Sequence, residues 1–194
     1  MRKMGDITGI ILAGGKSSRM GTEKGMIPFK GKPFIGHIID SMRPLVSNII
    51  IVSDSQAYDH LNLNRYEDLI KNTGPLAGLY TGLSHSTTEF NLVLSCDMPL
   101  VRTEMLKNLI NPEYHAYDIV QYQSQGEIIP LMAVYKKNCS STCKKLIDQG
   151  ERRLLTLGDH LNTRTLILDP IFEKYADNIN TKEQLNMINH ESDR

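Results

Sequence analysis

The chain has 194 residues, and its 22 Lys and Arg residues balance 22 Asp and Glu residues, so it is long enough for one buried core. Without an overall basic field, the chain is not expected to bind a nucleic-acid backbone or an anionic membrane surface, and any anion recognition must be local. Residues 1–194 are predicted to form a single domain.

The three cysteines, Cys96, Cys139 and Cys143, are an odd number at spacings that fit neither a disulfide framework nor a zinc-binding pair. Reduced thiols of this kind are typical of cytosolic proteins. The apolar stretch 10–13 is far shorter than the roughly 20 residues of a membrane span, and residues 1–6 are not followed by a signal-peptide core. We expect a cytoplasmic protein without a membrane anchor.

Short apolar, β-branched runs alternate with segments of helical period, which is typical of an α/β fold with a largely parallel sheet. Strands are predicted at 7–12, 49–53, 91–96, 118–121, 131–135 and 165–168, with a weaker signal at 63–66. Helices are predicted at 33–42, 75–84, 102–109, 138–148 and 182–188, the last capped by Thr181 and Gln184. Ligands bind beyond the carboxyl ends of parallel strands, so the residues after each strand are the first candidates for a binding site.

The first predicted strand leads into Ala13-Gly-Gly-Lys-Ser-Ser-Arg-Met-Gly21. Gly14 and Gly15 lack a Cβ, so successive amides can face a triphosphate, while Arg19 and Lys24 can neutralise its oxygens. A flexible turn with solvated charges is the alternative. The full run Leu-Ala-Gly-Gly-x-x-x-Arg-Met-Gly-x-x-Lys-Gly favours phosphate binding.

Two commoner nucleotide motifs do not fit this loop. Gly15-Lys16-Ser17 looks like the end of a P-loop, but that motif requires glycine where Ile10 stands. The glycines at 14 and 15 are adjacent, which excludes the dinucleotide-binding Gly-x-Gly-x-x-Gly. Ordinary ATPases and nicotinamide enzymes are therefore poor interpretations.

A second feature is the Gly74-Pro75 turn, which opens the helix predicted at 75–84. Free amides at this helix start can contact a base or a ribose. A tight turn, with Gly78 allowing close helix packing, explains the residues equally well.

The third feature is Asp97, which follows the predicted strand 91–96 and precedes Pro99. A carboxylate at a strand end can hold Mg²⁺, which usually takes one or two carboxylates together with substrate phosphates and waters. Capping of the helix near Arg102, or bonding to turn amides, is the alternative. The partnership with the glycine loop favours the metal.

Taken together, these segments resemble the molybdenum cofactor guanylyltransferases, within the nucleotidyltransferases of nucleotide-diphospho-sugar transferase type. The matching segments cover most of the chain and occur in the family's order: 12–25, 74–78, 96–99, 150–153 and 178–181. The resemblance implies a three-layer, Rossmann-like α/β fold with a mostly parallel sheet. It also implies an enzyme that uses Mg²⁺ to transfer GMP from GTP to the terminal phosphate of molybdopterin.

The resemblance assigns roles on the nucleotide side. It implies that the GTP phosphates are wrapped by Leu12, Ala13, Gly14 and Gly15. Lys24 and Arg19 would contact the phosphates, and Asp97 would ligate Mg²⁺. Ser53, where Asn is familiar, and Asp68, for which Glu67 is an alternative, would hold the nucleoside together with Gly74.

On the acceptor side, Asn178 and Asn180 match the pair that reaches the pterin, since amides suit a ring edge that mixes donors and acceptors. A turn followed by a helix cap is the alternative. Arg152 and Arg153 would meet an acceptor phosphate or form a solvated helix end.

The base and the partners follow from the same resemblance. Cytidylyl-transferring relatives typically have Leu-Ala-Ala-Gly where this chain has Leu-Ala-Gly-Gly, and a purine needs the extra room. GTP, molybdopterin and the delivery or acceptor molybdoenzymes are the expected partners. The competing interpretations are a nucleotidyltransferase with another NTP or a sugar-phosphate acceptor, and a non-catalytic nucleotide-binding or cofactor-delivery protein.

Overall fold

The computed structural model of the protein describes residues 6–14, 23–71 and 73–190. In these residues the elements are β1 (Ile7–Leu12), β2 (Pro28–Phe29), β3 (Lys32–Pro33), α1 (Phe34–Met42), β4 (Asn48–Val52), β5 (Asn64–Tyr66), α2 (Pro75–His85), β6 (Phe90–Ser95), α3 (Thr103–Leu109), β7 (Ile119–Ser124), β8 (Glu127–Lys136), α4 (Cys139–Asp148), β9 (Thr163–Ile167) and α5 (Lys182–His190). None of the helices in this part of the chain is both long and apolar enough to cross a membrane.

The central sheet has seven strands in the order β5-β4-β1-β6-β8-β7-β9, and β2 and β3 form a separate hairpin. Within the large sheet β8 runs antiparallel to both its neighbours, and the other pairs are parallel. The predicted α/β class and mostly parallel sheet are confirmed.

Helices cover both faces of this sheet and give it three layers. Ile7 and Ile11 of β1 belong to the core under α1 and α3, whereas Ile10 and Leu12 belong to the core under α2 and α4. Successive side chains of a strand point to opposite faces, so an unbroken apolar strand such as β1 is buried on both sides.

The reversed strand β8 is longer than predicted because a tight hairpin joins it to β7. Gln125 and Gly126 connect the two strands, and both have positive φ, at 50° and 85°. Two such residues match the twist of a two-residue hairpin. The sequence pattern missed residues 127–130 because Pro130 interrupts the apolar run, and a proline argues against a strand unless it lies at an edge or a bulge.

A third apolar cluster joins the β2–β3 hairpin to the last part of the chain. Its buried members are Ile27, Phe29, Phe34 and Ile179, with Leu185 partly buried against them. The helix that follows is capped as predicted: Thr181 Oγ1 accepts from the Gln184 amide at 3.2 Å, and Gln184 Oε1 accepts from the Thr181 amide at 3.0 Å. These contacts pack Ile179 and the start of α5 against the β2–β3 hairpin.

Candidate active site

The start of the glycine loop is held by the two strands that flank β1. The Ala13 amide donates to the Val52 carbonyl at 2.9 Å, and the Cys96 amide donates to the Leu12 carbonyl at 3.0 Å. Residues 12–14 therefore lie at the carboxyl edge of the sheet, between the ends of β4 and β6. Gly15 and Arg19 lie outside the described residues, so their predicted roles stay predictions.

A cleft of about 710 Å³ opens at this edge. Its lining includes six of the residues predicted to bind nucleotide: Leu12, Ala13, Gly14, Ser53, Asp68 and Gly74. Residues from Leu12 to Gly74 thus meet around one space, as the topology of a parallel sheet favours.

Lys24 and Asp97 meet just beyond the end of β6. The Lys24 Nζ atom lies 3.1 Å from Asp97 Oδ2 and also donates a hydrogen bond to Asn180 Oδ1. The Ile179 amide donates to the Asp97 carbonyl at 2.8 Å, which fixes the neighbouring Asn180 at this point. A residue predicted for the triphosphate is thereby joined to one predicted for the acceptor.

The Asp97 side chain is suited to binding a cation. It is largely buried, and its Oδ1 atom has no hydrogen-bond partner among the described residues. Because α3 begins at Thr103, well after Asp97, the alternative of a helix-capping role is not observed. Among the described residues, no group of three or more His, Cys, Asp or Glu side chains is arranged to hold a metal ion.

Asp68 is one of the residues that line the nucleotide cleft. Its Oδ1 atom is buried without a hydrogen-bond partner in the described part of the chain, and it lies 3.8 Å from a Cβ built on Gly78 in the first turn of α2. Burial, and then the nearby Asp54 carboxylate, raises the pKa of Asp68 above its ordinary value. A half-buried carboxylate with an unused oxygen is ready to accept a hydrogen bond from a ligand.

Ser53 supports the backbone of the glycine loop, a role that was not predicted from the sequence. Its hydroxyl donates to the Ala13 carbonyl at 2.9 Å and accepts from the Ser55 amide at 3.2 Å, and the residue is buried. The side chain thus holds the start of the glycine loop. A direct contact of Ser53 with the nucleoside stays a prediction.

The Gly74 turn lies at the cleft and begins α2. Gly74 has φ 78° and precedes Pro75, the first residue of α2, and both residues line the cleft. Pro75 has no N–H group, and the amides of Ala77 and Gly78 donate to the Gly74 carbonyl, so a contact of this turn with base or ribose stays a prediction. A Cβ built on Gly78 would lie 3.6 Å from the Leu12 side chain, which shows how closely α2 packs on β1.

The two predicted acceptor residues occupy different places. The Asn180 side-chain oxygen accepts from Lys24, and the Asn180 backbone amide donates to Gln184 Oε1 at 2.7 Å. Asn180 therefore contributes both to the site and to the helix cap. Asn178 is exposed and lines a second cavity of about 1040 Å³, which shares Leu131 with the nucleotide cleft. The structure brings Asn180, but not Asn178, into contact with Lys24 among the side chains described.

Arg152 lies beside Gly74, and the Glu151 carboxylate accepts hydrogen bonds from the backbone amides of both Arg152 and Arg153. The Arg153 guanidinium bonds both Glu151 carboxylate oxygens, at 2.9 and 3.1 Å, and lowers the pKa of that carboxyl. Arg153 remains 78% exposed, so the solvated alternative describes its present environment. Two further residues near Lys24, Glu23 and Tyr58, had no recognisable sequence signal.

Comparisons with known proteins agree with this geometry. Residues 9–164 match the model of the MobA-like NTP transferase domain. The chain is 39% identical to the "Probable molybdenum cofactor guanylyltransferase" of Flavobacterium johnsoniae, with 96% of this chain and 98% of that protein covered. It is 30% identical to the protein of the same name from Carboxydothermus hydrogenoformans, with 98% and 94% covered.

A solved structure shares the fold. The molybdopterin-guanine dinucleotide biosynthesis protein A of Archaeoglobus fulgidus superimposes with a TM-score of 0.80 at 24% identity, covering 96% of this chain and 98% of that one. The family match spans both the cleft and Asp97, and the two relatives extend the likeness beyond Asn180. The chain is therefore a member of the MobA-like NTP transferases and, within them, of the molybdenum cofactor guanylyltransferases.

Proposed function

We propose that this protein transfers GMP from GTP to the terminal phosphate of molybdopterin in the cytoplasm, forming molybdopterin guanine dinucleotide and pyrophosphate. The observation that carries the proposal is the position of Lys24, whose ammonium bonds both Asp97 and Asn180. If Asp97 serves the nucleotide and Asn180 the acceptor, the Lys24 ammonium would offset charge where the two anionic reactants approach each other.

In this reaction an oxygen of the acceptor phosphate forms a bond to the α-phosphorus of GTP. The bond from the α-phosphorus to the bridging oxygen breaks, and its electron pair leaves with pyrophosphate. A phosphate monoester is already anionic near neutral pH, so no general base is assigned. The protein must mainly align the reactants and offset their charge.

The phosphates are expected at the loop residues Leu12, Ala13, Gly14 and Gly15. Amides in this loop can donate to phosphate oxygens, while Lys24 and Arg19 supply positive charge. The nucleoside would lie in the adjoining cleft against Ser53, Asp68 and Gly74. There the unused Asp68 oxygen can accept a hydrogen bond from the nucleoside, which supports this orientation.

Asp97 is the residue that would hold Mg²⁺, because its buried and unpartnered Oδ1 provides a hard anionic oxygen. When bound there, Mg²⁺ would act as a Lewis acid toward the phosphates. Lys24 would have to share Asp97 with the ion or shift toward the phosphates, and its flexible side chain allows both.

The acceptor is expected at Asn180 and Asn178. The second cavity supports this direction, because Asn178 lines it and Leu131 connects it to the nucleotide cleft. Amide groups can satisfy the alternating donors and acceptors of a pterin edge. The product would then pass to a delivery protein or an acceptor molybdoenzyme.

The test is pyrophosphate release with Mg²⁺ and each of GTP, CTP, ATP and UTP, with and without molybdopterin. Release that requires both GTP and the pterin is the expected result. Release with a sugar phosphate in place of the pterin would replace the acceptor, and GTP binding without any turnover would indicate a non-catalytic protein. Replacing Mg²⁺ by a chelator should abolish release.

A further inference from the structure

The segment 53–58, here named the strap, contacts the glycine loop at its first residue, Ala13, and at its last, Gly25. At one end the Ser53 hydroxyl donates to the Ala13 carbonyl at 2.9 Å. Ser55 then bonds Ser53 through its amide, and its own hydroxyl accepts from Ala57 at 3.3 Å, starting the short helix Gln56–Leu61. That helix carries Tyr58.

At the other end of the loop, Tyr58 packs against Gly25. Tyr58 is fully buried, and a Cβ built on Gly25 would lie 2.9 Å from its hydroxyl oxygen and 3.0 Å from its Cε1 atom. The same Cβ would lie 3.3 Å from Cβ of Cys96, the residue before Asp97. Gly25 is thus confined between Tyr58 and the end of β6, and the space admits only glycine without a shift.

Tyr58 also contacts the residue on the other side of Lys24. Its hydroxyl lies 3.5 Å from Oε2 of Glu23, a residue that lines the nucleotide cleft. Burial raises the pKa of the Tyr58 hydroxyl, so this group stays protonated as a donor at neutral pH. Glu23 and Gly25, the two chain neighbours of Lys24, are therefore both in contact with one buried ring.

We propose that Tyr58 is a positioning residue for Lys24 and that the strap sets the distance between the two ends of the phosphate-binding loop. With Ala13 held by Ser53 and Gly25 held by Tyr58, the Lys24 backbone is fixed and its ammonium points at Asp97. This inference rests on the proposed function in one respect, namely that Lys24 contacts the nucleotide phosphates.

The test is a double-mutant cycle that measures the Kd for GTP with Mg²⁺. Tyr58→Leu removes the ring and should weaken binding about tenfold, the effect of losing most of one charge-assisted hydrogen bond. In a Lys24→Met background the same change should alter Kd by less than about twofold, because a residue that acts through Lys24 has nothing left to position. Tyr58→Phe keeps the ring and should restore most of the affinity.

Tyr122 provides a matched control, since it is also buried and its hydroxyl donates to the Met105 carbonyl at 2.8 Å, within the core. Tyr122→Leu should lower thermal stability about as much as Tyr58→Leu while leaving the Kd unchanged. Gly25→Ala offers a second route if Tyr58→Leu does not fold, and its loss of affinity should likewise depend on Lys24.

The outcomes separate the two proposals. Equal effects of Tyr58→Leu with and without Lys24, or no effect in either background, would overturn the positioning role. Unchanged GTP affinity in Lys24→Met alone would instead remove the phosphate contact on which the proposed function relies.

Discussion

The ammonium of Lys24 lies 3.1 Å from Asp97 Oδ2, although 73 positions separate the two residues in the chain. Their side chains are 28% and 10% exposed, so the pair is shielded from water without being sealed from a ligand. This ion pair holds the Asp97 carboxylate in one orientation before substrate arrives.

Asp97→Asn should reduce turnover by about 100-fold or more, because one preorganised electrostatic contact commonly contributes that much to the rate. The variant keeps the shape of the side chain and should remain folded. Binding of GTP without Mg²⁺ should change little, whereas the gain in affinity that Mg²⁺ gives should disappear. The exposed Asp148→Asn serves as the control, and a fully active Asp97→Asn would refute the metal assignment.

Asn180→Ala and Asn178→Ala form a natural comparison, because both are predicted acceptor contacts and Asn180 alone of the two bonds Lys24. Both variants should raise KM for molybdopterin. Asn180→Ala should also raise KM for GTP by about threefold to tenfold, since it frees a charge-assisted bond that orients Lys24. Steady-state kinetics with each substrate varied in turn measures this, and identical profiles for the two variants would contradict it.

Asp68→Asn should stabilise the fold at neutral pH while weakening GTP binding. The pKa of Asp68 is raised in the folded protein above the ordinary 3.8, so the folded state binds the proton more tightly than the unfolded chain does. Stability is therefore lost as the pH rises from the ordinary pKa through the raised one. Thermal unfolding of both proteins as a function of pH should show equal stability below pH 3.8 and a more stable Asn variant above the transition.

Gly82→Ala should destabilise the protein by about 1–3 kcal/mol, the usual cost of overpacking a core. A Cβ there would lie 2.6 Å from Cγ2 of Ile10, between α2 and β1. Gly36→Ala is the matched control, since Gly36 is also helical and a Cβ built on it has no neighbour nearer than 3.5 Å. Gly36→Ala should gain about 0.5–1 kcal/mol from helix propensity. Chemical denaturation measures both, and similar values would contradict the packing argument.

Most of the fold followed from the sequence because its strands are continuous apolar runs and its helices carry strong boundary signals. β1 was predicted to the residue, and the cap at Thr181 and Gln184 was confirmed. The β2–β3 hairpin was missed, since strands of two residues have no measurable period. The reversal of β8 depends on the Gln125-Gly126 turn, and that turn lies in a polar stretch.

The site was predictable where it follows strand ends and much less so elsewhere. Leu12, Ala13, Gly14, Ser53, Asp68 and Gly74 were each predicted for the nucleotide and line one cleft. Tyr58 has no motif, because its relation to Lys24 exists only once a buried ring meets Gly25 in space. The contact between Lys24 and Asn180, which spans 156 positions, could not be inferred from local spacing either.

The small cluster of Ile27, Phe29, Phe34 and Ile179 has a consequence for how the site opens and closes. Ile179 lies between Asn178 and Asn180, and Ile27 follows Lys24 by three positions. One buried apolar cluster therefore anchors both the segment of Lys24 and the segment of the two asparagines. A local unfolding event that releases Ile179 must also expose Phe29 and Phe34. The amides of Ile179 and Phe34, bonded to Asp97 and Ile27, should therefore exchange with deuterium as one cooperative unit. The contacts to GTP and to the acceptor would then be lost together. No state would remain in which GTP is bound and exposed to water while the acceptor side is unfolded.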